Sequence, residues 1–197
     1  MSAAVRHDFQ AIAEWIKPGS RVLDLGCGDG ALLAYLEEGR QIAGYGVEIS
    51  SEGVLASVKR GINVLQMNLE DGLSIFGTAS FDYVILSRTL QAMHNTEGIL
   101  QEMLRVGRQG IVTFPNFGYW RNRLQVLAGR MPVSEEIPYQ WFDTPNIHLC
   151  TLNDFEDLCE EVGARVLQRV VIANGNDIRV LPNLLGSLAV YRFEKEA

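Results

Sequence analysis

One nine-residue run, Val22-Leu23-Asp24-Leu25-Gly26-Cys27-Gly28-Asp29-Gly30, restricts what this chain can fold into more than any other stretch. Val22, Leu23 and Leu25 make a short apolar strand, and glycines at every second position follow it without a linker. Ala31–Leu36 then reads as a helix opening near Asp29. A strand that runs straight into Gly-x-Gly-x-Gly and a helix turns tightly, with no side chains shielding its backbone. The N–H groups at the helix start add an electropositive edge that a ligand can approach closely. Gly26-x-Gly28-x-x-Ala31 also satisfies the loose dinucleotide fingerprint, so the loop alone leaves a nicotinamide dinucleotide open.

Two kinds of acidic residue narrow the choice. Asp24 lies on the strand two residues before the first glycine. A pyrophosphate gains nothing from a negative charge there, whereas a ligand with an ammonium group does. S-adenosylmethionine (SAM) carries an α-ammonium and a sulfonium. Asp29 adds a second carboxylate inside the loop. Glu48, 22 residues after Gly26 and followed by Ile49, ends the second strand, where a carboxylate accepts both ribose hydroxyls. Together these favour SAM or S-adenosylhomocysteine over NAD. The plain alternatives are a loop cap for Asp24 and a solvated strand end for Glu48. Cys27 reads as a small filler of the loop, since no base partner is placed beside it. Asn68 and Leu69 follow the third strand; the Asn68 amide suits either an adenine amine or an ordinary turn. Ser87 ends the fourth strand at the switch point, and with Thr89 it is placed to line the amino-acid end of a cofactor.

The rest of the chain repeats the strand–helix alternation. Phe9, Ile12, Ala13 and Ile16 mark an amphipathic helix stopped by Pro18-Gly19. Strands follow at 42–49, 62–67, 81–86 and 110–114, with helices at 51–60 and 96–106. Strands alternating with helices of about ten residues imply a parallel sheet covered on both faces. After Phe114 the pattern breaks. Residues 115–150 carry four prolines and, counting Phe114 at the edge, seven aromatics, which reads as a lid, a partner surface or extra core. Thr151 then caps a helix over 152–161, with Asp154 completing an approximate capping box. Two last strands, ARVLQRVVIA and SLAVYRF, finish the chain. The expectation is an α/β fold: one domain over 1–197, with a Pro/aromatic-rich insertion at about 115–150.

Composition narrows the partners. A net charge of −7 gives no electrostatic footprint for nucleic acid or anionic membranes. Cys27, Cys150 and Cys159 form no disulfide framework. No run of apolar residues is long enough to span a bilayer, and His7, Asp8 and Glu14 interrupt the N-terminus. These features lead one to expect a cytoplasmic protein. Three histidines and three cysteines show no ligand spacing, so no metal site is expected.

VLDLGCGDG, the acidic VEIS strand end and FDYVILSRTLQAM together resemble the class I SAM-dependent methyltransferases. More narrowly, LRVGRQGIVTFPNFGYWRNR, GRMPVSEEIPYQWFDTPNIHLCT and LPNLLGSLAVYR resemble the MetW family of methionine biosynthesis. The resemblance covers essentially the whole chain, and 105–151 is its most specific part. It implies a Rossmann-like, doubly wound seven-stranded sheet of order 3-2-1-4-5-7-6 with the last strand antiparallel. It also implies a role beside homoserine O-acyltransferase (MetX), and it favours docking as the use of 115–150. Many class I enzymes place Asp where this chain has Asn68.

A catalytic set is not legible. His94 and His148 are the candidate bases, and each reads more readily as a structural histidine than as a base. Tyr119, Tyr139 and Asp143 are no stronger. No Asn-Pro-Pro-Tyr type motif follows the fourth strand; Phe114-Pro115-Asn116 comes one strand later. A regulatory SAM-binding partner and a working methyltransferase both remain open.

Overall fold

The apolar runs assemble into a single eight-stranded sheet in the computed structural model, which describes residues 6–196. Residues 1–5 of the N-terminal stretch and residue 197 lie outside the described residues. In chain order the elements are α1 (His7–Trp15), β1 (Arg21–Leu25), α2 (Ala31–Arg40), β2 (Ala43–Glu48), α3 (Ser51–Lys59), β3 (Asn63–Gln66) and β4 (Phe81–Ser87). Then come α4 (Thr96–Val106), β5 (Gly107–Pro115), α5 (Trp120–Leu127), α6 (Leu152–Glu161), β6 (Ala164–Ala173), β7 (Asn176–Asp177), α7 (Pro182–Leu185) and β8 (Leu188–Lys195).

The sheet order is β3-β2-β1-β4-β5-β8-β6-β7. Strands β1 to β5 pair in parallel, and β8 runs antiparallel between β5 and β6. This is the expected seven-stranded core, with β8 as its last strand. The eighth strand is an addition that the apolar pattern did not announce. Asn174 and Gly175 both take positive φ (49° and 72°) and fold β7 back on the end of β6 as a two-residue hairpin.

Alternate residues of the central strands point to opposite faces, and each face has its own core. On one side Leu23, Leu25, Val84, Leu86 and Val112 pack under α4 and α6, with Phe114, Phe155 and Tyr191 in mutual ring contact at 4.7–5.8 Å. On the other side Val22, Ile85, Ile111 and Val190 pack under α1 and α2 through Ile12, Leu33 and Leu36. Thr151 and Asp154 form the capping box that starts α6.

Within 115–150 the sequence pattern showed no helix, yet α5 forms there. Its Leu124 and Leu127 face solvent, so the usual apolar stripe is missing from the sequence. The base of the insertion is pinned by a buried amide. Asn116 donates to the carbonyls of Asn183 (3.1 Å) and Gly186 (2.8 Å) and accepts from Gly118 N–H (2.9 Å). Phe117 N–H donates to the Cys150 carbonyl (3.0 Å), which brings the two ends of the insertion together.

Candidate functional site

The C-terminal ends of β1, β2, β3 and β4 lie side by side, as their registers require: Asp24 opposite Gly46 and Ile85, and Glu48 opposite Gln66. This is the edge at which open α/β sheets bind ligands. Gly26 has φ +71°, and a β-carbon there would sit 2.7 Å from Thr89 Oγ1. Gly28, at φ +57°, would direct a β-carbon into open space. The first glycine is therefore required for packing, and the second keeps the cleft bare.

Asp24 is buried, 2 % exposed, and its Oδ1 has no hydrogen-bond partner. Burial pushes its carboxyl up to about 8; Arg6 opposes the shift and the Glu48 carboxylate adds to it. No backbone N–H is capped by Asp24 among the described hydrogen bonds, so the loop-cap alternative fails. The carboxyl is held mostly protonated at neutral pH, near the C-terminal end of β1.

Glu48 is buried rather than a solvated strand end. Its Oε2 accepts from Gly28 N–H (2.9 Å) and its Oε1 from Ser50 N–H (2.8 Å). A carboxylate has about four lone-pair positions, so both oxygens retain capacity for a diol. Gly28, Glu48 and Ser50 thus fix the loop against the second strand. Ile49, next in chain, is exposed.

The remaining residues are placed as follows. Cys27 is buried, with its thiol pushed up to about 11 by burial and by the Asp24 carboxyl. Its Sγ fills the space over Gly46, where a β-carbon would approach it to 2.5 Å. It is a filler, as the sequence suggests. Gly30 caps α2 in a left-handed conformation. Asp29 faces solvent, accepts from Ala31 N–H (3.1 Å) and pairs with Arg60 at 2.6 Å. Its carboxylate has local partners and does not line up with Asp24. Asn68 Oδ1 accepts from Glu70 N–H (3.1 Å), the turn-forming role, at the start of a short 3-10 turn that includes Leu69. Ser87 Oγ meets Thr113 Oγ1 (3.1 Å), and Thr89 Oγ1 donates to the Ser87 carbonyl (3.1 Å).

A cavity of about 430 Å³ opens between the segment after β4, the end of β5 and α6. Leu90, Phe114, Phe155 and Leu158 supply its apolar walls, and His94 and His148 both lie at its rim. His148 Nε2 is 3.4 Å from the His94 carbonyl. The two histidines, 54 residues apart, therefore share one pocket. Tyr119 is buried, while Tyr139 and Asp143 are exposed in the insertion.

The sequence did not single out a charged cluster beside the cleft, formed by Arg6, Asp8, Arg88 and Glu136. One signal was available. Asp8 sits four residues before Ile12 and seven before Trp15, so it places a charge on the buried stripe of α1. No described group of His, Cys, Asp and Glu side chains has the arrangement of a metal site. Among the described residues no helix is long and apolar enough to cross a membrane.

Comparison with known proteins follows the same lines. A SAM-dependent methyltransferase from Thermotoga maritima superposes with a TM-score of 0.68 at 20% identity, over 96% of this chain and 88% of that one. The [4+2]-cyclase SpnF superposes with a TM-score of 0.69 at 17% identity, over 96% and 80%. At that identity the likeness is one of fold: the class I methyltransferase architecture, shared here by two different activities. In sequence, the bifunctional methionine biosynthesis protein MetXA/MetW of Rhodopirellula baltica is 42% identical across 96% of this chain. The chain spans about a third (33%) of that relative's length. The family model for methionine biosynthesis protein MetW matches residues 6–193. With nearly the whole chain matched and both the fold and the glycine-loop edge in place, this chain belongs to the MetW family.

Proposed function

We propose that this protein binds SAM or S-adenosylhomocysteine at the glycine-loop edge and serves as an activating or regulatory partner of homoserine O-acyltransferase. The observation that carries the ligand is Asp24. A buried carboxyl with an orphaned oxygen is costly to leave unpaired. An α-ammonium resolves it, by ionising the acid and donating to it. A pyrophosphate does the opposite, bringing negative charge beside a buried acid. Glu48 has lone pairs left for the ribose hydroxyls, and Ser87, Ile49, Asn68 and Leu69 line the same edge. When bound, SAM supplies an activated methyl group; the chain's own residues bind and orient.

Support for the partner comes from two directions. The relative from Rhodopirellula baltica carries MetXA and MetW in one polypeptide. The insertion also exposes large apolar side chains that a lone domain gains nothing by exposing: Leu127 (85 %), Trp141 (72 %) and Phe142 (70 %). Arg121 lies over the Trp120 ring at 5.4 Å, and aromatics with Arg are the residue types enriched at interface hot spots. Co-purification with homoserine O-acyltransferase, with acyl transfer assayed with and without this chain, tests the reading. A stable complex with altered activity is expected; no complex and unchanged activity contradict it.

One observation favours a second reading, methyl transfer to a small acceptor. The cavity that brings His94 and His148 together adjoins the end of β4, and a base there could take a proton from an acceptor. Labelled methyl transfer from SAM into an extract, compared with Gly28→Asp, separates the readings. Label that depends on the intact loop supports this one.

A further inference from the structure

Four charged side chains from three separate stretches meet at the end of β4. Asp8, on the first turn of α1, is 1 % exposed and accepts from Phe9 N–H and from Arg6. Its Oδ2 also lies 3.3 Å from Arg88 Nε. Arg88 follows β4 with φ +55°, a conformation a non-glycine residue rarely adopts. Its N–H is held by the Thr113 carbonyl (2.9 Å) and hydroxyl (3.0 Å). From there its guanidinium reaches Glu136 in the insertion at 2.9 Å. One side chain therefore joins α1, the end of β4 and the aromatic segment.

The cluster borders the cleft. Thr89, next to Arg88, stands over Gly26, and the Arg6 charge acts on Asp24. In this cluster two arginines balance two carboxylates, and Asp24 beside it is largely protonated at neutral pH. An amino-acid end arriving at Asp24 changes that balance. Its ammonium ionises Asp24, and its own carboxylate adds a second negative charge near Arg6 and Arg88. These charges compete with Asp8 and Glu136 for the same guanidinium groups. Asp8 is deeply buried and held by two arginines and an N–H, so it keeps its place. Glu136 is the weaker partner. Burial pushes its carboxyl up, and Oε2 has no aligned hydrogen bond despite its close approach to Arg88. Beyond it, Ile137 is buried and closes a turn with Ser134, and Val133 is held by the Gln125 side chain (3.1 and 3.2 Å), so the Arg88–Glu136 pair is the ionic anchor among several on this stretch.

We propose that Arg88 couples the cleft to the docking segment: an amino-acid-bearing adenosyl ligand loosens the Arg88–Glu136 pair and thereby changes how residues 131–137 are presented to the partner. This rests on the function proposed above and names its regulation. By linkage, the partner changes ligand affinity by the same factor as the ligand changes partner affinity.

The test is calorimetric titration of SAM into the free protein and into its complex with homoserine O-acyltransferase. The wild-type affinities are expected to differ by at least about fivefold. Glu136→Gln, which removes the competing charge in advance, is expected to bind SAM more tightly than wild type when free. In this variant the ratio of free to complexed affinity falls to about one. Glu135→Gln, an exposed neighbour, keeps the wild-type ratio. Equal wild-type affinities, with both bindings intact, overturn the coupling and leave the functional reading standing. An unchanged ratio in Glu136→Gln, or weaker SAM binding by it, overturns the coupling as well. Failure of wild type to bind either SAM or the acyltransferase overturns the functional reading itself, and the coupling with it.

Discussion

Asp24 sets stability against binding at a single position. Its folded pKa is raised to about 8 from an ordinary value near 4. The folded state therefore holds a proton that the unfolded state releases, and stability falls as pH rises between about 4 and 8. Asp24→Asn removes that penalty. It is expected to stabilise the ligand-free protein at pH 8 by on the order of 1–3 kcal/mol, with little gain near pH 4, while SAM binding is lost. Thermal denaturation at the two pH values and a SAM titration check both halves. The glycines make a second contrast. Gly26→Ala drives a β-carbon into Thr89 and should cost about 1–3 kcal/mol of stability. Gly28→Ala meets no protein atom within 4 Å and should cost about 1 kcal/mol from its positive φ alone, yet it intrudes on the cleft and weakens SAM binding. The strand-end positions of Asp24 and Glu48 were legible because each stands at a fixed offset from glycines that only a turn explains. The solvent-facing pose of Asp29, bonded to Ala31 N–H, was not, whereas the turn role of Asn68 toward Glu70 was one of the two readings its position offered. Arg88 was out of reach: its partners lie 80 and 48 residues away in the chain.

At the scale of elements, the insertion is held by polar contacts at its base and apolar ones at its margins. Asn116 of the FPNFG stretch and Asn183 of the LPNLLG stretch meet there. Asn183 Oδ1 also accepts from Leu152 N–H (3.2 Å) at the start of α6. Two sequence stretches that marked the family resemblance are thus halves of one joint. Asn116→Ala leaves buried carbonyls and an N–H without partners and should destabilise the protein by about 1–3 kcal/mol, read by chemical denaturation. Solvent-facing changes should behave differently. Leu127→Ser and Trp141→Ser together are expected to leave stability within about 0.5 kcal/mol and weaken the acyltransferase complex by at least about 30-fold, measured by surface-immobilised binding. Strands β1 to β5 were readable from their near-continuous apolar runs, and α6 from its capping box. The helix α5 was not, because its apolar residues face outward. The hairpin to β7 carried a legible Asn174-Gly175 signal that the short partner strand obscured.

Taken as a whole, the molecule joins the glycine-loop edge of the sheet to an exposed aromatic segment through a charge cluster centred on the buried Asp8. The cleft depends on local sequence and the segment on distant contacts, which is why the fold and the glycine loop could be read from the chain while their connection could not. Titration calorimetry of SAM into the purified protein bears most directly on the central claim. Saturable binding is expected, with no heat from NAD. Affinity should rise by up to about tenfold per pH unit between about pH 6 and pH 7, because binding ionises Asp24 and releases its proton, and level off near pH 8 as the ligand's own ammonium deprotonates. Clear heat from NAD and none from SAM would contradict the account.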